Sequence, residues 1–266
     1  MPVLESPSLA VVTGASSGIG AAIARILAAR GWSLLLIARR AGALDSLARE
    51  LRDNHGVAVD HLVADLATEP GLTAALDALA RCDADIGVLV NNAGVGTVGP
   101  FKDMPPAEIQ RIMDLNMIAL TRLTRSVLPG MAARRKGRIL NVASIAAFQP
   151  GPEMAVYFAT KAYVVSLSEA LACEAHSTGV TITTLCPGPT ATEFGPLSGI
   201  DRTRAFSGLL PIADADAVAR FGIAAMEKGR RLAIHGWYNV VLTVLTRIAP
   251  MALILAVTRR LLARSP

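Results

Sequence analysis

The chain has 266 residues, 52% of them hydrophobic and 18% charged, so it can bury one large core and is too apolar to remain disordered. Its formal net charge of +5 is spread over short basic clusters with few aromatic residues between them, the pattern of a solvated surface and not of a nucleic-acid footprint. Cys82, Cys173 and Cys186 are odd in number and lie in apolar stretches, which reads as buried thiols in a reducing cytoplasm; the dispersed His55, His61, His176 and His235 give no metal site. Residues 1–7 carry neither a charged start nor a long apolar run, so no signal peptide is expected.

An apolar run at 9–13 reads as a buried strand, and from residue 21 helix formers recur at helical spacing. Between them lies Thr13-Gly14-Ala15-Ser16-Ser17-Gly18-Ile19-Gly20. In such a strand-to-helix turn Gly14 allows the tight bend, Gly18 lets a pyrophosphate approach the backbone, and Gly20 lets helix and strand pack closely, while free N–H groups at the helix start attract anionic oxygens. The stretch points to a dinucleotide site. Further strand-like runs at 34–37, 57–63, 88–90, 139–142 and 180–185 alternate with helical patterns, one of them at 41–54. That alternation implies an α/β fold, a parallel sheet of about seven strands covered on both faces, with its ligand at the carboxyl ends.

The second run is followed by Arg39-Arg40, with no carboxylate nearby. An acid there would bond a ribose 2′-hydroxyl, whereas arginine suits a 2′-phosphate, so NADPH is favoured over NADH. Asp65, after the third run, either accepts from an adenine amino group or caps a turn. Asn91-Asn92-Ala93-Gly94 closes the fourth; asparagines there either bond loop backbone or touch the ligand. Residues 105–125 read as one long helix with Asn116 inside it, where asparagine is disfavoured unless its side chain has a task or faces solvent. Ser144 follows the fifth run, and thirteen residues later Tyr157 and Lys161, four apart on one face of a helix running to about 177, bring an ammonium near a phenol. That proximity is expected to lower a phenol pKa otherwise near ~10 and to suit the group for proton transfer. The sixth run ends in a rigid loop, Cys186-Pro187-Gly188-Pro189-Thr190-Ala191-Thr192, whose backbone and hydroxyls suit a carboxamide, and 193–213, with little periodicity, read as a lid. Phe101, Phe148, Met154 and Phe194 are either walls of an apolar pocket or core.

Together these residues resemble the short-chain dehydrogenase/reductase family over residues 8 to about 235. The family's glycine motif corresponds to Thr13, Gly14, Gly18 and Gly20, its sheet motif to Asn91-Asn92-Ala93-Gly94, and its catalytic tetrad to Asn116, Ser144, Tyr157 and Lys161. The resemblance implies a Rossmann-type doubly wound sheet. It implies Tyr157 as acid/base, Ser144 orienting the substrate oxygen, Lys161 binding the nicotinamide ribose and tuning Tyr157, and Asn116 holding a water in a relay to Lys161. Coenzyme contacts are implied at Gly14, Ser16, Ser17, Gly18, Ile19, Gly20, Arg39, Arg40, Asp65, Leu66, Asn92, Ala93, Gly94, Pro187, Gly188, Thr190 and Thr192, besides Tyr157 and Lys161. Two positions depart from the pattern. NADP-preferring members often carry a basic residue just before the second glycine, where this chain has Ser17, so coenzyme choice rests on Arg39 and Arg40; and Thr190 stands where an aliphatic residue is common.

After Gly236 an apolar tail begins. Arg247 at its middle would cost about 2.5 to 3.5 kcal/mol in a bilayer and Pro250 breaks the helix, so it reads as two short helices hinged near Pro250, with Arg259, Arg260 and Arg264 at an interfacial or solvated end. Three places would hide it: the substrate cleft, a second subunit, or a membrane surface. The expected organisation is a single dinucleotide-binding and catalytic domain over 1–236 with a helical extension over 237–266. The expected activity is hydride transfer between NADPH and a lipophilic carbonyl or secondary alcohol, in a cytoplasmic homo-oligomer, dimer or tetramer, with peripheral membrane contact through the tail. The rival readings are an NADPH-binding regulatory protein without catalysis and a membrane-associated scaffold.

Overall fold

A computed structural model describes residues 9–82, 85–204 and 211–263. The first eight residues, positions 205–210 of the expected lid, and Arg264 lie outside the described residues. Seven strands, β1 (Leu9–Thr13), β2 (Ser33–Ala38), β3 (Val59–Val63), β4 (Ile86–Asn91), β5 (Gly137–Val142), β6 (Val180–Cys186) and β7 (Leu232–Ile234), form one sheet in the order β3-β2-β1-β4-β5-β6-β7. Every neighbouring pair is parallel. The connecting helices are α1 (Gly18–Ala28), α2 (Ala41–His55), α3 (Glu69–Ala80), α4 (Pro106–Met113), α5 (Leu120–Ala133), α6 (Ala155–Glu174), α7 (Phe194–Ser198), α8 (Ala215–Glu227), α9 (Trp237–Ile248) and α10 (Met251–Leu262).

Alternation along the strands builds two cores. Ala10, Val12, Leu34, Leu36, Val88 and Val90 meet α1, α2 and α8 on one face. Val11, Leu35, Ile37, Leu89 and Ile139 meet α3 and α5 on the other. The chain turns back between β1 and β4, so the crevice at their carboxyl ends is the switch point where such sheets hold ligands. The doubly wound Rossmann-type arrangement expected from the sequence is present, and β7, only three residues long, is the strand its pattern left unmarked.

The stretch expected as one helix over 105–125 is α4 and α5 joined by a π-helical turn, Asp114–Ala119. Its wider coil turns Asn116 inward. Asn116 Oδ1 accepts from the Val95 N–H at 2.9 Å, and Nδ2 donates to Val95 O at 2.9 Å and to Thr160 Oγ1 at 3.0 Å. Those bonds compensate the distortion of the ladder. The expected lid is also more regular than its sequence suggests, since it opens with α7 and a 3₁₀ turn, Ile200–Arg202. The tail forms α9 and α10 on either side of Pro250. Among the described residues no helix is long and apolar enough to cross a membrane.

Candidate active site

The carboxyl ends of six strands, the lid and α10 line a cavity of about 670 Å³. Of the expected coenzyme-binding residues all but Gly20 line it, and of the expected catalytic residues all but Asn116. Gly20 lies beneath the turn, where a Cβ would collide with Gly14 O and Asn92 Nδ2, so it serves helix–strand packing and not the ligand surface.

The glycine turn is braced from β4. Thr13 Oγ1 donates to Val90 O and accepts from the N–H groups of Asn92 and Ala93 at 3.0 and 3.1 Å. Asn92 Nδ2 donates to Thr13 O and Gly14 O at 3.0 and 3.1 Å. Asn92 thus braces the turn, while Asn91 Nδ2 donates to Asn141 Oδ1 at 2.9 Å and ties β4 to β5. Gly14 adopts φ +65°, and a Cβ there would sit 2.8 Å from Asn92 Nδ2. Ser17, at the N-cap of α1, makes no side-chain capping bond, which leaves the first amides of that helix for an anion. Arg39 and Arg40 flank the same opening. Backbone shape and free amides together fit a dinucleotide. Asp65 Oδ1 accepts from the Ala67 N–H at 3.0 Å while Oδ2 lies 3.8 Å from Arg39, so its turn-forming role is occupied.

At the other end Ser144, Tyr157 and Lys161 converge. Ser144 Oγ accepts from the Ala146 N–H at 3.1 Å, which leaves its proton to donate to the Tyr157 oxygen. Burial pushes the Tyr157 phenol up to about 12, with the Ser144 bond pulling partly the other way. Burial also pushes the Lys161 ammonium down to about 8. The expectation that Lys161 lowers the phenol pKa is therefore overturned. Lys161 Nζ stands 5.7 Å from the Tyr157 ring centre and donates to Val142 O at 2.9 Å. Cys186, beside this group, is buried and its thiol is pushed up to about 12, which leaves it inert; Cys173, by contrast, is exposed on α6 and corrects its expected burial.

Phe194 forms part of the apolar wall, at 5.3 Å between ring centres from Tyr157. Met154 packs beneath as core, Phe148 joins a separate cluster, and Phe101 is exposed. Three further residues shape the site, within segments whose sequence names no role for them singly. Glu193 pairs with Arg40 across the cavity mouth. Leu262 of α10 packs with Tyr157 and Phe158, so part of the tail does cover the cleft. Gly96, two residues past the Asn-Asn-Ala-Gly stretch, is a further glycine at the ligand edge: a Cβ there would lie 2.8 Å from Tyr157 Cδ2 and 3.1 Å from Phe194 Cζ. Gly96→Ala is therefore expected to displace the phenol and lower kcat about tenfold or more, with coenzyme affinity nearly unchanged; steady-state kinetics alongside a coenzyme titration measure both.

A family model described as short chain dehydrogenase matches residues 8–199. The chain belongs to the short-chain dehydrogenase/reductase family. A very-long-chain 3-oxoacyl-CoA reductase of Anas platyrhynchos is 38% identical over 197 residues, 71% of this chain and 62% of that protein. A Homo sapiens protein named inactive hydroxysteroid dehydrogenase-like protein 1 is 36% identical over 186 residues, 69% of this chain and 56% of its own. The chain thus spans about 60% of the length of these two curated relatives. Among solved structures, a short-chain dehydrogenase from Sphingobium yanoikuyae in complex with NADPH matches with TM-score 0.80 and 35% identity, covering 92% of this chain and 97% of that one. Another, from Burkholderia phymatum in complex with NAD, matches with TM-score 0.80 and 26% identity, covering 90% and 92%.

Proposed function

We propose that the protein reduces a lipophilic carbonyl compound, or oxidises the corresponding secondary alcohol, with NADPH in preference to NADH. The reading is carried by one observation: Ser144, Tyr157 and Lys161 line the same cavity as the glycine turn. Arg39 and Arg40 would take the 2′-phosphate, Asp65 and Leu66 the adenine side, and the loop of Pro187, Gly188, Thr190 and Thr192 the nicotinamide end. When bound, the coenzyme supplies the hydride. Tyr157 gives its proton to the substrate oxygen, and the Ser144 hydroxyl donates to that same oxygen and fixes its place. Lys161, as a cation, stabilises the phenolate left behind. Asn116, with its side chain committed to Val95 and Thr160, acts by holding the β4 loop against α6. The wall of Phe194, Leu197, Leu261 and Leu262 suits an apolar substrate, and the acyl-CoA reductase name of the Anas platyrhynchos relative agrees with that class.

A titration with NADPH and NADH, followed by NADPH consumption over a panel of bulky ketones and long-chain acyl carbonyls, tests this reading. Binding without turnover of any carbonyl would favour a regulatory protein, as the name of the Homo sapiens relative would suggest. The pH profile adds a second check. Tyr157 stays protonated through the neutral range, whereas Lys161 is cationic only below about 8. Carbonyl reduction needs both protons, so kcat is expected to fall about tenfold between about pH 7 and pH 9. A flat profile there would remove Lys161 from the chemistry.

A further inference from the structure

Helix α9 is built inside out. Its inward face is polar, with Asn239 and Thr243 buried. Outward it presents Val241, Val244 and Leu245, and at its ends Trp237, 80% exposed, and Ile248, 74% exposed. Helix α10 continues the pattern: a single stripe of Ile254, Thr258 and Leu262 is buried while Met251, Leu253 and Val257 are exposed. A helix on the surface of a water-soluble domain carries the reverse polarity, and monomers rarely leave so large a contiguous apolar face to water.

Charge selects what covers it. Residues 237–266 contain four arginines and no aspartate or glutamate. An isologous contact between two such tails would set cations against cations without a carboxylate from either. A bilayer with anionic headgroups meets both needs, because the apolar face enters the acyl boundary while the arginines stay among phosphates. Each helix has 12 residues. At about 18 Å it falls well short of the ~30 Å hydrocarbon core, so the pair lies on the membrane.

The inner side of α10 belongs to the cleft. Thr258, Leu261 and Leu262 line the cavity, and the Arg204 N–H donates to Ala263 O at 3.1 Å, tying lid to tail. We propose that α9 and α10 dock the protein on an anionic membrane surface and that its substrate enters the cleft from the lipid phase. The second half rests on the catalytic reading above; the docking half does not.

The test is sedimentation of the full chain with vesicles of phosphatidylcholine alone and of phosphatidylcholine mixed with phosphatidylglycerol. Binding to the mixed vesicles is expected to be about tenfold tighter or more, to weaken with added salt, and to fall about tenfold in Val241→Asp/Leu245→Asp and in Arg259→Ala/Arg260→Ala. All four positions are exposed, so both variants should fold, and unchanged NADPH affinity checks that they have. Protein left in the supernatant with both lipids overturns docking. So does a stable dimer in buffer that Val241→Asp/Leu245→Asp splits, since a second copy would then occupy the face. Vesicle binding with no faster turnover of a vesicle-borne ketone than of a dispersed one overturns lipid-phase entry alone. Loss of NADPH binding in the wild-type chain would instead fail the catalytic reading and leave the vesicle result standing.

Discussion

Tyr157→Phe is expected to lower kcat about a thousandfold while NADPH affinity changes less than about threefold. Phenylalanine keeps the ring, and with it the edge contact to Phe158 at 6.1 Å and the tilted contact to Phe194 at 5.3 Å between centres. What leaves is one oxygen. With burial holding the phenol proton until about pH 12, this group is protonated at neutral pH and lines the cavity as a proton donor. Its removal leaves Ser144 able to donate a hydrogen bond to a substrate oxygen but leaves no side chain in line to give up a proton. Positioned acids of this kind contribute on the order of a hundred- to ten-thousandfold. Thermal stability should hardly change, because the deleted hydroxyl gains one bond from Ser144 and carries its own desolvation cost. Single-turnover NADPH oxidation and a melting curve separate the two effects. Residual kcat within tenfold of the parent would mean that another group supplies the proton.

The parts of this site that were legible in the sequence are those written locally. The glycine turn announces itself because a buried strand, three glycines and a helix are contiguous, and Tyr157 with Lys161 share a helix face by spacing alone. The arginines after β2 were legible because strand ends in such a sheet point one way. What escaped depends on partners far along the chain. The π-turn at Asn116 exists because Val95 and Thr160, 21 and 44 residues distant, are brought to it by the fold. The raised phenol pKa follows from burial by loop, lid and tail together, whereas spacing reports only the nearby ammonium. β7 is too short for periodicity to register. The tail was recognisable as two hinged helices, but which face turns inward is set by the cleft it covers, and the polar residues, not the apolar ones, face the protein on α9.

Arg40→Ala is expected to weaken NADPH about 30- to 150-fold and NADH little, while Glu193→Gln strengthens NADPH a few-fold and leaves NADH unchanged. Arg40 Nη2 donates to Ser16 Oγ at 3.1 Å and to Ser16 O at 3.2 Å, and Nη1 donates to Glu193 Oε1 at 2.8 Å. The guanidinium is thereby stretched between the glycine turn and the start of the lid. Both partners of its ion pair are about half exposed, at 47% and 50% of their side-chain surface, so the pair is worth no more than about 1 kcal/mol. A bidentate phosphate contact on the same fork is worth about 1.5 to 3 kcal/mol per charged hydrogen bond, enough to displace the carboxylate. Glu193 is thus a standing competitor for the 2′-phosphate, its carboxyl held below the usual range by Arg40 and Ser17. Neutralising it removes the competition for one coenzyme only, because NADH brings no phosphate to that place. Fluorescence titration of both coenzymes on both variants reads the difference directly. Equal losses of NADPH and NADH in Arg40→Ala would mean that Arg40 serves to tie turn and lid together, and selection of the phosphate would then fall to Arg39, 3.8 Å from Asp65 on the same opening.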